Sequence, residues 1–363
     1  MKKIFFSLVA LAALAACSKS EVEYTDNMEL SFAPVSKLST KAAVADTDYP
    51  DALNMFVFAN AGLDGSDDNT TVDRTECSDP YLVNAEFANG THETNVFGGV
   101  TPYYWPNVKS LWFAGVSKSG NINNGATPEV NFATNVISVE GYSPGTGSNT
   151  RGDNDLMYFV PVGPFSKAAN GGISIPVDMK HACSWITVRV VGNGISGKAD
   201  DPATTDVDES TTWKIKTLKI TNLALSGDLT VTNGTSVTWE EAAATGEFSL
   251  KSATDPVKLT TTPTDLLTTT NAIVIPQAPA YLFVEYEYVS QPAQGSQAAI
   301  VTTESKSIEL EYNGTDEWLP GYHYTYDLLL SAEEILLTPI ADEWTEAPGY
   351  EIDEDATDID INE

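Results

Sequence analysis

Few residues in this chain have the type and spacing that chemistry needs. His92, His181 and His323 stand far apart, and the cysteines are Cys17, Cys77 and Cys183. Three of each in 363 residues leave little material for a His or Cys metal site or for thiol chemistry. None of GxSxG, HExxH, the P-loop or CxxC occurs. Each histidine is therefore read as structural or surface. The 51 Asp and Glu make a chance carboxylate pair at glycosidase separation inevitable, so such a pair carries no weight. Asp64-Gly65-Ser66-Asp67-Asp68-Asn69 clusters hard oxygen donors suited to calcium. It lacks the loop pattern and closing glutamate of a helix-flanked calcium site, and reads as a solvated turn. Arg151-Gly152-Asp153 lies among Gly, Ser and Asn, where a loop could display it as an adhesion tripeptide. Tyr103-Tyr104-Trp105 supplies rings that either stack on sugars or fill a core. The expectation is a non-enzyme with no catalytic residues, no metal and no cofactor.

The charge excludes other classes. With 51 acidic and 19 basic residues the formal net charge is −32, which repels nucleic acid phosphates and gives no electrostatic footprint for anionic lipid head groups. Hydrophobic residues make up 42% and aromatics 10%, too much apolar surface for a chain that stays unfolded. The length favours two domains with their own cores.

The amino terminus reads as an address. Lys2 and Lys3 form a basic region, Ile4 to Ala13 an apolar run, and Leu14-Ala15-Ala16 a small-residue tract closed by Cys17. The run is too short to span a ~30 Å hydrocarbon core, which argues for a cleaved signal. The ending resembles a bacterial lipobox, and that resemblance makes Cys17 the acylated new amino terminus of an exported lipoprotein. Several acyl chains at ~0.8 kcal/mol per buried CH₂ hold a soluble domain at a membrane surface.

Beyond the leader, short apolar or alternating runs are separated by Gly, Asn, Asp, Ser and Pro: 28–32, 53–59, 110–116, 173–177, 184–191, 212–220, 272–275, 281–289 and 307–312. Val, Ile, Tyr, Phe, Trp and Thr dominate these runs, which predicts strands in a β-sandwich. Residues 240–244 and 332–337 have helical composition but are short and poorly capped. No βαβ alternation occurs. A domain boundary is expected near 178–185. After Trp344 the segment TEAPGYEIDEDATDIDINE has no basic residue and alone lacks the means to fold, although Tyr350, Ile352, Ile359 and Ile361 keep a strand-like even spacing.

The order of these segments resembles the Bacteroidales fimbrillin family, the type V pilins and their accessory subunits. The pieces that carry the resemblance are the lipobox, Met28 to Phe32 followed by Thr40-Lys41-Ala42, LNMFVFANAG (53–62), PYYWPNVKSLWFAGVSKSG (102–120), DLMYF (155–159), IPVDMKHACSWITVRVVG (175–192), AIVIPQAPAYLFVEYEY (272–288) and LPGYHYTYDLLLSAEEILLTPIADEW (319–344). The resemblance implies an all-β protein of two tandem transthyretin-like β-sandwiches behind a signal and propeptide. Its divisions are 1–17 signal and lipobox, 18–41 propeptide with a removable first strand, 42–180 and 181–344 the two sandwiches, and 345–363 an acidic tail. Trypsin-like cleavage at Lys41-Ala42, with Lys37 as the second candidate, removes a strand whose buried knobs are Met28, Leu30 and Phe32. The family often has arginine at this site. A strand from a neighbouring subunit then fills the groove, and here the donor lies after Tyr326, including Ile335 to Ile340. The tail is either part of the donor or a solvated extension.

The implied partners are other fimbrial subunits, a processing protease, the outer membrane through the precursor's lipid, and host or bacterial surface ligands, with no nucleic acid among them. The implied location is the outer membrane for the precursor and the cell surface fimbrium for the mature form, in cell adhesion. The alternative is a non-polymerising surface lipoprotein that binds glycans through Tyr104 and Trp105.

Overall fold

The computed structural model describes residues 28–34, 54–62, 73–89, 96–106, 110–122, 124–145, 154–192, 210–242, 245–251, 257–258, 264–265, 272–278, 280–291, 300–311, 317–330 and 335–343. The first half holds β1 (Ser31–Pro34), β2 (Asn54–Ala61), β3 (Asp79–Asn89), β4 (Phe97–Gly99), β5 (Ser110–Ser117), β6 (Thr127–Asn131), β7 (Val136–Tyr142), β8 (Met157–Ser166), β9 (Ile175–Val177) and β10 (Lys180–His181). The second half holds β11 (Ser184–Gly192), β12 (Ser210–Ala224), β13 (Gly227–Thr232), β14 (Ser236–Glu241), β15 (Thr245–Lys251), β16 (Val257–Lys258), β17 (Thr264–Asp265), β18 (Ala272–Val274), β19 (Tyr281–Gln291), β20 (Ile300–Glu309), β21 (Tyr322–Leu330) and β22 (Ile335–Glu343). One 3₁₀ turn, Arg74–Glu76, and one four-residue helix, α1 (Lys167–Asn170), complete the elements among the described residues. The all-β expectation holds, and the strand runs read from the sequence each fall on a strand.

Three cores organise these strands. The first is enclosed by an eight-stranded sheet of order β10-β8-β5-β2-β3-β4-β1-β9. Four strand positions separate β1 from β5, close to ~19 Å if the sheet were flat. Yet the Phe32 ring of β1 lies 5.2 Å from that of Phe113 in β5, so the sheet curls over itself. The second core lies behind this sheet, against a four-stranded sheet of order β14-β13-β7-β6. β2 serves both. Met55, Val57, Ala59 and Ala61 point into the first core, while Phe56 and Phe58 point into the second. A strand covered on both faces has no use for alternation, which is why its sequence reads as one apolar run.

The third core is an ordinary two-sheet sandwich between β11–β21 and β12–β19. β21 alternates accordingly, with Tyr324, Tyr326, Leu328 and Leu330 buried and the residues between them half-buried. Tyr326 Oη accepts a 2.8 Å bond from Trp318 Nε1 and donates to the Leu310 carbonyl, pinning the corner that leads into the strand.

Two local readings change. Residues 240–241 end β14 and 335–337 begin β22, so neither helix-like stretch is helical there. β14 pairs with β13 from Ser236 to Glu241, and β22 with β21 from Ile335 to Glu343, and these ladders outweigh weak local helix propensity. The hairpin β13–β14, although it follows residue 181 in sequence, pairs through β13 with β7. The second core is thereby built from both halves of the chain, Leu229 and Val231 of β13 facing Ile137 and Val139 of β7.

Candidate functional site: the groove filled by residues 28 to 34

Segment 28–34 is held as one strand between two others. The Leu30 amide donates to the Tyr103 carbonyl at 2.7 Å, and the Trp105 amide donates to the Met28 carbonyl at 2.9 Å. β1 then pairs antiparallel with β4, Phe32 opposite Phe97, and parallel with β9, Phe32 opposite Ile175. Period-two geometry sends Leu30 and Phe32 inward and Glu29 outward, and their exposures are 1% and 0% for the two knobs. The Phe32 ring meets Phe87 edge-on at 4.9 Å and Phe113 at 5.2 Å, with Phe159 at 6.2 Å. Ser31 Oγ bonds Ser174 Oγ at 2.9 Å at the rim. Met28 is half-buried, and its sulfur lies against Gly171, where any Cβ would collide with it. The structure thus brings Met28, Leu30 and Phe32 together on one face. Cys17, Lys37, Lys41, Ala42, His92, the Asp64–Asn69 stretch, Arg151-Gly152-Asp153 and the acidic tail lie outside the described residues.

The aromatic trio divides. Tyr104 bridges Glu29 on the outer side and is exposed, and its carbonyl accepts from the Tyr81 hydroxyl. Trp105 is 4% exposed and packs edge-on against Phe113, 6.1 Å between centroids. The core reading holds for Trp105, and the alternative in which it stacks on sugars is corrected. Pairing with residues 28–30 turns residues 103 and 105 to the same side as Leu30, so the indole is part of the core.

A second cluster, whose members have no motif spacing along the chain, holds residue types familiar from catalysis. His181 Nδ1 lies 2.5 Å from Asp155 Oδ2, Ser117 Oγ donates to the Asp155 carbonyl at 2.9 Å, and the Tyr142 hydroxyl donates to the Asn154 carbonyl at 2.7 Å. All of these side chains and the nearby Cys183 are buried. Burial pushes the Cys183 thiol well up, the Asp155 charge adds to it, and burial likewise raises Tyr142. With the Cys183 thiol and the Tyr142 hydroxyl held protonated, the buried cluster is a hydrogen-bonded network tying the start of β8 to β5, β7 and β10. His323 stacks on Trp185 at 3.9 Å and bonds Thr187 Oγ1 at 2.8 Å. Among the described residues no three His, Cys, Asp or Glu are placed to hold a metal ion, and no helix is long and apolar enough to cross a membrane.

Cys77 and Cys183 are both free thiols and both buried. Cys77 is pushed up to about 11, by burial first and then by Glu76 and Asp73. At mildly alkaline pH its thiolate fraction is then on the order of a hundredfold below that of an ordinary cysteine. A thiol-reactive disulfide reagent should label neither cysteine in the folded chain within minutes and both in concentrated guanidinium. Rapid labelling of the folded chain would contradict the burial described.

Residues 40–344 match the family described as fimbrillin-like, and residues 1–18 match the prokaryotic membrane lipoprotein lipid attachment site. The structure is similar to that of a fimbrial protein from Bacteroides vulgatus ATCC 8482, at 16% identity and a TM-score of 0.57, covering 88% of this chain and 100% of that one. It is also similar to a fimbrilin from Porphyromonas gingivalis W83, at 12% identity and a TM-score of 0.39, covering 88% of this chain and 98% of the other. Identities this low speak for fold alone. No curated protein matches the sequence significantly.

Proposed function

The chain belongs to the fimbrillin-like family, and from that premise we propose that it is a fimbrial subunit activated by removal of its own first strand. It is exported as a lipoprotein on Cys17, cleaved between Lys41 and Ala42, and assembled by strand exchange into a surface fimbria that serves adhesion. Its work is structural, through backbone pairing and apolar packing.

The observation that carries this reading is the placement of residues 28–34. They belong to the stretch ahead of Lys41, yet they supply Leu30 and Phe32 to the first core and pair with both β4 and β9. While the chain is intact, the strand refills its groove at a high effective concentration. Once the chain is cut, the strand is a separate molecule and that advantage is gone. The emptied groove would present unpaired N–H and C=O groups on β4 and β9 beside an aromatic trough, the condition that strand addition relieves. A donor of matching pattern is present at the other end. Ile335-Leu336-Leu337-Thr338-Pro339 repeats the apolar–x–apolar–x–Pro order of Leu30-Ser31-Phe32-Ala33-Pro34. β22 is the last described strand and pairs along one side with β21.

Limited digestion of the purified precursor with a trypsin-like protease should give a chain beginning at Ala42 and, on size-exclusion chromatography, oligomers. Lys41→Ala should block both. A chain cut after Lys41 that keeps residues 28–34 bound and stays monomeric would defeat the proposal.

A further inference from the structure

We infer that the groove selects a donor strand with a hydroxyl side chain at the Ser31 position and an aromatic ring at the Phe32 position, so that a different subunit carrying that pattern outcompetes a second copy of this chain, whose own strand fills the groove only at high protein concentration when no better donor is present. This rests on the strand-exchange reading above and adds the chemistry of the partner.

The inference comes from setting the chain's own donor candidate in the register of β1. Ile335 replaces Leu30 and Pro339 replaces Pro34 with little change. The two positions between them do not match. Leu337 falls where Phe32 sits, in a box whose walls are the rings of Phe87, Phe113 and Phe159 at 4.9, 5.2 and 6.2 Å from the Phe32 centroid. Phe32 is wholly buried there, so a smaller, non-aromatic side chain leaves a void and loses both edge-on ring contacts. Leu336 falls where Ser31 sits, and there the Ser174 hydroxyl, half-buried at the rim, loses the 2.9 Å bond that Ser31 gives it. Shifting register does not relieve these two mismatches, because a one-residue slip turns every inward side chain outward and a two-residue slip puts Ile335 or Pro339 in the Phe32 box. β22 therefore suits another subunit's groove with a smaller box, and this groove suits a strand reading Leu or Ile, Ser or Thr, aromatic, any residue, Pro.

The test uses the full chain cleaved after Lys41 at a concentration low enough to keep it monomeric, its groove loaded with a fluorescein-labelled peptide of residues 28–34. Competitors are the unlabelled 28–34 peptide, the 333–339 peptide with only Glu333→Met to match the Met28 position (native at 336 and 337), and the same peptide carrying Leu336→Ser and Leu337→Phe as well. The expected order is that the 333–339 peptide native at 336 and 337 competes about tenfold or more weakly than the 28–34 peptide, and that the peptide carrying Leu336→Ser and Leu337→Phe recovers most of the difference. Equal competition by the 333–339 peptide native at 336 and 337 overturns the inference while leaving strand exchange intact. Failure of the labelled 28–34 peptide to bind the cleaved chain at all overturns strand exchange itself, and the inference with it.

Discussion

Phe32→Ala is expected to cost the precursor about 3–5 kcal/mol of stability, the range for truncating a fully buried phenylalanine. The residue has 0% exposure, and three rings from β3, β5 and β8 converge on it. It also sits where the curled sheet meets its own far side, so the void opens at the seam of the first core rather than at an edge that could collapse onto it. Glu29→Ala, on the exposed face of the same segment, should change stability by no more than about 0.5 kcal/mol. Guanidinium unfolding of both variants, with hydrogen exchange followed at the amides of β4 and β9, separates the two outcomes. Made in a Lys41→Ala background, Phe32→Ala should also let the groove open without cleavage, seen as faster exchange of those amides. A cost below about 1 kcal/mol would mean that segment 28–34 is not an integral strand.

Cutting the chain after residue 192 should have the second large effect. The fragment keeps every strand of the eight-stranded sheet but loses β13 and β14, and with them two of the four strands that cover its back. Leu229 and Val231, each 1% exposed, disappear from the second core, leaving Ile137, Val139, Phe56 and Phe58 facing solvent. Each fully buried aliphatic side chain contributes roughly 1.5–3 kcal/mol, and the β7 ladder to β13 is lost in addition. Losses of that size against a typical stability of about 5–15 kcal/mol should leave the fragment insoluble or without near-ultraviolet circular dichroism. Supplying residues 193–363 in trans should restore it. A fragment that stays soluble with dispersed amide resonances would show that the first core suffices on its own.

How far the sequence carried the argument depends on the element. The alternation of Leu30 and Phe32 around Ser31 states which side chains go inward, because a strand's period of two is a local property. β2 was legible as a strand but not as one buried on both faces, since an unbroken apolar run fits several settings. The 240–241 and 335–337 stretches were the least legible, because their helix-forming residues say nothing about the neighbours that pair with them. Trp105 illustrates the same limit at a single residue. Its type favours a core but also suits a sugar platform, and it is the pairing of residues 28–30 with 103–105 that buries it.

The lipid attachment signal, the all-β class, the family and the inward-facing knobs are legible in the chain alone, because each of these is written in residue type, order or local period. Three features emerge solely on folding: the knobs enter an aromatic box closed by strands from across a curled sheet, Cys77 and Cys183 are separate buried thiols, and a hairpin of the second half completes a core of the first. Those facts depend on which distant strands pair. Pairing is settled by the burial and hydrogen bonding of the whole chain at once, which no local stretch of sequence encodes.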